Sequence, residues 1–263
     1  MKQTLSMLLL AAMLATSCSK NNNETEEPAK QEPTVLLTKV TNLTPGDPDN
    51  GKVLASFTYN GKQLTKAVIN HYSITPDVET DVFNYNPSGQ LTGTSITHTR
   101  ADSYNYVNSA IIYNGGDIAK ITFYKSGNAV ASDNTLTYQD GRLVMWYNPN
   151  EVEITYNYDS NGNNTKQVTK EYNSGKTTGS VYTANYLTFD NKTNLTKALP
   201  YWIYFRTGLQ EDFLSYLPGA NNVLTGNDDG TSVTYKYEYN SNGYPSKITT
   251  ATGTYAYEYI EVK

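Results

Sequence analysis

The side chains with the greatest chemical reactivity are few in this sequence. The chain of 263 residues has two histidines, His71 and His98, and one cysteine, Cys18. Nucleophilic hydrolysis needs an activated serine or cysteine beside a histidine, and a zinc site takes several Cys, His or carboxylate ligands. No G-x-S-x-G motif, phosphate-binding loop or dinucleotide fingerprint is present. The sequence therefore predicts no catalytic residue, no metal site and no cofactor.

Paired carboxylates would permit glycoside hydrolysis, which uses two carboxyl groups at a defined separation. The nearest pairs are Glu151 with Glu153 and Glu211 with Asp212. The first pair flanks an inward strand position, so both side chains are expected to face solvent. The second pair is interpreted as the polar side of a short helix. A glycosidase is therefore the third of three functional hypotheses.

Aromatic side chains form the other informative group, because an exposed tyrosine or tryptophan can stack on a sugar ring. Tyr201, Trp202 and Tyr204 cluster in one apolar stretch, and Trp146 lies beside a predicted turn. These four residues are the candidate ligand-binding residues. The alternative interpretation is that tyrosines fill the faces of a sheet.

Composition restricts the class of partner. The chain carries 20 Lys and Arg against 25 Asp and Glu, a net charge of -5, which argues against nucleic-acid binding. Charged residues make up only 17%, unlike the high charge of disordered chains. The 24 tyrosines far outnumber the 6 phenylalanines, and each buried hydroxyl must find a partner.

The N-terminus is a targeting segment rather than folded structure. Lys2 precedes an apolar run, Leu5 to Leu14, that is too short to span a bilayer as a helix. Small residues then lead to the only cysteine, in the segment Ala15-Thr16-Ser17-Cys18. This segment resembles the lipobox of bacterial lipoproteins, which implies a signal peptide over residues 1–17 and lipidation of Cys18. An ordinary secretory signal is the alternative.

Residues 18–33 are predicted to form a flexible tether, because they lack apolar periodicity and are rich in Asn, Glu, Lys and Pro. The acidic residues Glu24, Glu26 and Glu27 resemble the surface-export signal of lipoproteins from Gram-negative gut anaerobes. The resemblance implies an outer-membrane lipoprotein that is exposed at the cell surface. A periplasm-facing orientation is the alternative.

Residues 34–263 are expected to form a single domain built on an internal repeat. The unit is apolar-x-Tyr-(Asn/Asp)-x-Gly-x-x-(Leu/Ile)-x-Lys, with copies that begin at Phe57, Phe83, Ile112, Leu136, Ile154, Leu187 and Tyr235. Asn-Gly and Asp-Gly tolerate the positive φ of hairpin turns. Each copy therefore predicts a strand, a tight turn and a return strand.

The residues beside the predicted turns alternate between apolar or aromatic and polar with a period of two, as in an antiparallel sheet with one buried face. The repeats and their connections predict an all-β antiparallel meander of about 14 to 18 strands, curved or closed like a barrel. Short strands with tyrosine in place of an aliphatic band argue against a transmembrane barrel.

One stretch interrupts the repeat between Lys197 and Val233. It opens with the apolar run Ala198 to Phe205, and near-helical spacing then predicts a short helix near residues 208–217. Its apolar content suggests that it packs across an end or opening of the sheet.

Two resemblances accompany these motifs. The segment from Tyr158 to Gly162 resembles the YD repeat of large secreted shell proteins, although most other copies have Asn in place of Asp. The mature chain is similar to a lipoprotein family of unknown function with a porin-like fold. That similarity rests on the lipobox, the hairpins, and the stretch from Phe189-Asp190-Asn191-Lys192 to Asn221-Asn222-Val223. It implies a large antiparallel β fold and no assigned activity.

These features favour a non-catalytic, lipid-anchored β protein of the cell envelope with a binding or structural role. The second hypothesis is a surface glycan-binding module that uses Trp202 and neighbouring tyrosines. The expected partners are the membrane, through the lipid, and a glycan or an outer-membrane protein, but not nucleic acid.

Overall fold

A computed structural model describes residues 34–72, 76–100, 106–200, 203 and 218–263. Within them lie seventeen β-strands, the short 3-10 turns Ser126–Asn128 and Leu195–Ala198, and no α-helix. The strands are β1 (Thr34–Asn42), β2 (Val53–Asn60), β3 (Gln63–His71), β4 (Asp77–Tyr85), β5 (Leu91–His98), β6 (Asn108–Asn114), β7 (Asp117–Tyr124), β8 (Val130–Gln139), β9 (Arg142–Asn148), β10 (Val152–Tyr158), β11 (Asn164–Asn173), β12 (Lys176–Thr193), β13 (Asn221–Asp228), β14 (Thr231–Thr234), β15 (Lys236–Tyr239), β16 (Pro245–Thr249) and β17 (Thr254–Val262).

The sheet is an antiparallel meander that nearly closes on itself. Strands pair with their neighbours in chain order, and β17 returns to pair with β1 from Thr34 opposite Val262 to Asn42 opposite Tyr255. Tyr235 alone separates β14, which pairs with β13, from β15, which pairs with β16. The predicted all-β meander with barrel-like closure is confirmed.

The two ends of the barrel differ in their connections. Successive strands run in opposite directions, except that β14 and β15 follow one another in the same direction on either side of Tyr235. The turns of the hairpin repeats therefore meet at one end, here called the repeat end. Asp140 and Gly141 both have positive φ there, 51° and 70°, as the Asp-Gly turn requires. The opposite end, where β3, β5, β7 and β9 finish, is called the far end.

The sixth copy of the repeat, Leu187 to Lys197, is not a hairpin, and that prediction is wrong. Strand β12 continues to Thr193, a 3-10 turn follows, and the next described strand is β13. Asn194 stands where other copies have glycine and keeps a φ of -65°. Its side chain accepts a hydrogen bond from the Thr196 N–H (2.8 Å), which caps the 3-10 turn and replaces the tight reversal.

Asp190 joins the two halves of the stretch that carries the lipoprotein-family resemblance. Its carboxylate accepts hydrogen bonds from the backbone N–H and the side-chain amide of Asn222 (3.0 Å each). The hydroxyl of Tyr239 donates to the same carboxylate. The motif therefore fixes β12 to β13 and β15.

Apolar side chains fill the interior in two main clusters. The first joins β1–β5 to β16 and β17, with Leu37, Leu64 and Ile69 almost fully buried. The second joins β5, β7, β8, β9 and β10 around Phe123 and Trp146.

The interrupting stretch packs into the first cluster where the structure describes it. Ala198, Leu199 and Ile203 are buried against that cluster, as is Leu195 just before the stretch. Packing of the stretch across an end or opening of the sheet stays a prediction. The predicted helix near residues 208–217 lies outside the described residues.

Tyrosine hydroxyls connect neighbouring strands near the repeat end. Six tyrosines each donate to a backbone carbonyl of a neighbouring strand: Tyr59 to Leu37, Tyr85 to Leu64, Tyr113 to Leu91, Tyr158 to Leu143, Tyr237 to Val223 and Tyr259 to Pro245. We call these contacts the tyrosine ties. The ties give each of these tyrosine hydroxyls a hydrogen-bond acceptor, a contact that phenylalanine could not form. Burial raises the pKa of Tyr85 to about 12.

A Tyr85→Phe substitution is expected to lower the free energy of unfolding by about 1 kcal/mol, because the Leu64 carbonyl loses its hydroxyl donor. Tyr182→Phe is the matched control, since Tyr182 is 43% exposed. Substituting Tyr85, Tyr113 and Tyr158 together should cost about 3 kcal/mol if the ties act independently. Urea denaturation measures both effects, and a triple variant as stable as the control would contradict a structural role.

Candidate functional site

The two histidines, distant in sequence, meet at the far end of the barrel. His98 pairs with Glu79 across β5 and β4, and His71 pairs with Asp77 across β3 and β4. Glu79 is buried, and its Oε2 lies 3.7 Å from His98 Nε2 and 3.9 Å from His71 Nε2. Sequence reasoning missed this cluster because only the pairing of β3, β4 and β5 brings its members together.

Asp77 orients the His98 ring in this cluster. Its Oδ2 lies 2.7 Å from His98 Nδ1, and its Oδ1 accepts bonds from the Thr99 hydroxyl and the Arg100 N–H. Burial tends to raise the pKa of Asp77, but the hydrogen bonds from His98, Arg100 and Thr99 outweigh it and lower the pKa to about 2. These hydrogen bonds therefore hold the start of β4 to the end of β5.

Asp77→Asn is expected to flatten the acid limb of the stability curve. Because the folded pKa lies below the unfolded value of about 3.9, the Asp77 contribution is present above pH 4 and lost as pH falls toward 2. The contribution is about 2 kcal/mol. Denaturation between pH 7 and pH 2 measures it, with Asp140→Asn in an exposed turn as control. An unchanged pH profile in Asp77→Asn would contradict this assignment.

Clusters of possible metal ligands would form another candidate site. Over the described ranges, no group of three or more His, Cys, Asp or Glu side chains is placed to hold a metal ion. The acidic segments at residues 47–51 and 227–230 form turns, in which Asp47 Oδ1 accepts from the Asp49 N–H and Asn227 Oδ1 from the Gly230 N–H. These side-chain oxygens therefore stabilise the turns by accepting backbone hydrogen bonds.

Trp146 belongs to a buried polar network, which corrects its interpretation as an exposed stacking residue. The ring is 3% exposed, and its Nε1 donates to Asn134 Oδ1 (2.8 Å). Asn134 and Asn148 both donate to the Ser132 hydroxyl. Trp146, which lies on β9, is thus buried in the barrel interior and unavailable to a ligand on the surface.

Glu151 closes this network at the far end, and Glu153 is engaged elsewhere. Glu151 Oε2 accepts from the Asn148 amide (2.9 Å), and burial raises the pKa of Glu151. Glu153 lies 2.7 Å from Lys170 Nζ and accepts a bond from the Tyr172 hydroxyl. Glu151 is exposed, as predicted, whereas the Glu153 side chain on the outer face is partly covered by its contacts with Lys170 and Tyr172. Glu211 and Asp212 lie outside the described residues.

A cavity of about 570 Å³ opens at the repeat end. Its apolar lining includes Leu36, Leu143 and Leu199, together with Tyr158. A smaller cavity of about 200 Å³ lies between β13 and β17, where Tyr235, Tyr237 and Tyr257 line it. The larger cavity has the volume typical of small-molecule sites.

Four exposed polar side chains line the larger cavity: Arg142, Lys197, Asp117 and Asn161. In the described part of the chain, none of the four side chains forms a hydrogen bond or an ion pair. Arg142 is positioned by the Tyr158 ring, whose centroid lies 5.7 Å from the guanidinium carbon. The cavity therefore combines an apolar wall with two cationic side chains, one carboxylate and one amide that have no hydrogen-bond or ion-pair partner within the described residues.

Several predicted residues lie outside the described part of the chain. Tyr201, Trp202 and Tyr204 are among them, as are Cys18 and the residues of the predicted signal peptide and tether. Pro200 and Pro218, which line the larger cavity, flank residues 201–217 in sequence. Among the helices that the structure describes, none is long and apolar enough to cross a membrane.

Comparison with known proteins gives structural likenesses only. No family model and no curated protein matches the chain. A porin-like protein from Bacteroides uniformis ATCC 8492 is similar, with a TM-score of 0.40, 13% identity, and coverage of 78% of this chain and 100% of that chain. A porin-like protein from Bacteroides vulgatus ATCC 8482 has a TM-score of 0.33, 14% identity, and coverage of 86% and 99%.

A third similar structure is the TcdB2-TccC3-Cdc42 complex, with a TM-score of 0.35 and 15% identity. The match covers 77% of this chain but 10% of that one. The solved structures that resemble the chain therefore include porin-like proteins. The lipoprotein and YD-repeat parts of the resemblance stay predictions.

Proposed function

We propose that this chain is a lipid-anchored, non-catalytic binding protein of the Gram-negative outer membrane. The observation that carries the proposal is the packed interior of the barrel. Two apolar clusters occupy it, with Leu37, Leu64 and Phe123 at most 1% exposed. Such an interior argues against a conducting pore. It favours a rigid support whose ends and cavities bind partners.

The outer face of the barrel supports a location in water rather than in lipid. Ion pairs join neighbouring strands on this face, with Lys170 2.7 Å from Glu153 and Lys247 2.7 Å from Glu238. Charged side chains on a lipid-facing barrel surface cost about 2–4 kcal/mol each at the bilayer midplane. We therefore infer that the membrane is reached through acyl chains on Cys18, which give a stable anchor when more than one chain is attached.

The absence of catalysis is proposed from the state of the reactive side chains. His98 is bound to Asp77, Glu153 to Lys170, and Glu151 to the amide of Asn148. These contacts give the three side chains structural roles in joining neighbouring strands and turns. The proposed location is the cell surface, with the periplasmic side as the alternative, and the proposed partner is a glycan or an outer-membrane protein.

A glycan-binding module is the second candidate function. The cavity at the repeat end favours it, because Pro200 and Pro218 of its lining flank the segment that contains Trp202. Under this hypothesis, Trp202→Ala lowers polysaccharide affinity at least tenfold while leaving the melting temperature unchanged. Equal affinities in wild type and variant would reject the contribution of Trp202.

The mass of the mature protein tests the anchor. When the chain is expressed in a Gram-negative host, the membrane fraction should yield a polypeptide that begins at Cys18 and carries acyl chains. A Cys18→Ala variant should lack this modification and leave the membrane fraction. An unmodified wild-type chain that begins elsewhere would contradict the proposed attachment.

A further inference from the structure

We propose that the cavity at the repeat end binds an acidic saccharide, namely a sugar ring that bears a carboxylate. This inference rests on the proposed function as a non-catalytic binding protein and names its ligand class. It is argued from the charges, the hydrogen-bonding capacity and the apolar wall of this one cavity.

The cations of the cavity provide the site for a carboxylate. Arg142 and Lys197 both line it, and within the described residues neither has an ion-pair partner. With Asp117 as the acidic residue of the lining, the three side chains sum to one positive charge, although the whole chain carries a net charge of -5. A cleft with charge of the opposite sign to the rest of the protein attracts anions selectively.

Arg142 is held in position before any ligand arrives. Its guanidinium lies over the Tyr158 ring, whose hydroxyl is fixed on the Leu143 carbonyl (2.7 Å). Gly162 leaves room for this arrangement, because a Cβ there would lie 3.2 Å from Arg142 Nη2. A planar guanidinium binds a carboxylate through two parallel hydrogen bonds, so a positioned Arg142 favours a planar acid group.

The remaining lining residues are suited to the hydroxyl groups and the apolar face of a sugar ring. Asp117 and Asn161 offer oxygen acceptors for hydroxyl donors, and neither side chain is used elsewhere in the described structure. Leu199, Pro200 and Pro218 give an apolar wall against which the C–H face of a pyranose can pack. Cations, acceptors and an apolar wall together match an acidic sugar better than a simple anion or a neutral apolar molecule.

Direct binding measurements on the full chain in detergent test this inference. The probes are a galacturonic acid trisaccharide, the neutral galactose trisaccharide and glucose 6-phosphate, measured by calorimetry. The acidic trisaccharide should bind at least tenfold more tightly than the other two. Its affinity should fall at least tenfold in Arg142→Gln and in Lys197→Gln, but not in Lys166→Gln, an exposed lysine outside the cavity.

The alternative results separate this inference from the proposed function. Preference for the phosphate sugar, or equal affinity in all three variants, would overturn the acidic-saccharide site and leave the binding function in place. Binding of the neutral trisaccharide that depends on Trp202 alone would also overturn it. Cleavage of any probe would contradict the proposed non-catalytic function instead. The Arg142, Lys197 and Lys166 variants alter exposed side chains, so melting temperatures within 2 °C of wild type are expected and confirm folding.

Discussion

Replacing Trp146 with alanine is expected to lower the free energy of unfolding by about 3–5 kcal/mol. The ring is 3% exposed and packs with Phe123, Leu136 and Leu143 in the second cluster. Its removal leaves a cavity and takes the indole donor away from the buried Asn134. Chemical denaturation of the purified chain measures the loss.

Trp146→Phe separates the two parts of this effect. The phenyl ring retains much of the packing but cannot donate to Asn134 Oδ1, so the expected loss is about 1–3 kcal/mol. If Trp146→Ala were as stable as wild type and instead lost affinity for a polysaccharide, the ring would have to be exposed. That result would contradict its burial in the second cluster.

Gly93→Ala is expected to cost about 3 kcal/mol, because strand β6 lies too close to accept a side chain at this position. An added Cβ would lie 2.1 Å from the backbone oxygen of Ser109 and 3.1 Å from its carbonyl carbon. Gly93 pairs with Ala110, so relief of the clash requires the β5–β6 pair to separate.

Gly116→Ala is the matched control, since a Cβ there meets no atom within 4 Å. Its stability should stay within about 1 kcal/mol of wild type. Thermal denaturation compares the two variants directly. Equal stability of Gly93→Ala and Gly116→Ala would contradict the close approach of β5 to β6 at Gly93.

The repeat predicted the hairpins because their turn chemistry is local. Asp140-Gly141 specifies positive φ at two neighbouring residues whatever the rest of the chain does. The sixth copy failed for an equally local reason, because Asn194 caps a 3-10 turn. The pairing of Thr34 with Val262 depends on the curvature accumulated over all intervening strands, so the repeats predicted a curved or closed sheet but not its closing register.

The candidate sites were harder to predict, because they depend on long-range register and on local changes of strand phase. Leu143 and Trp146 are both buried although they stand three residues apart on β9, so simple alternation does not place the tryptophan. The histidine cluster requires the exact pairing of β3, β4 and β5. Tyrosine enrichment was visible in the sequence, but the carbonyl partners of the tyrosine ties were not.

The most direct test of the central claim measures binding and turnover in one experiment. The intact chain is incubated with acidic and neutral oligosaccharides while its melting temperature and the release of new reducing ends are followed. A ligand at 100 times its dissociation constant should stabilise the fold by about 2.7 kcal/mol. A raised melting temperature with the acidic class and no new reducing ends is the predicted result. Reducing ends that accumulate with wild type and disappear in Glu151→Gln would contradict the claim of binding without catalysis.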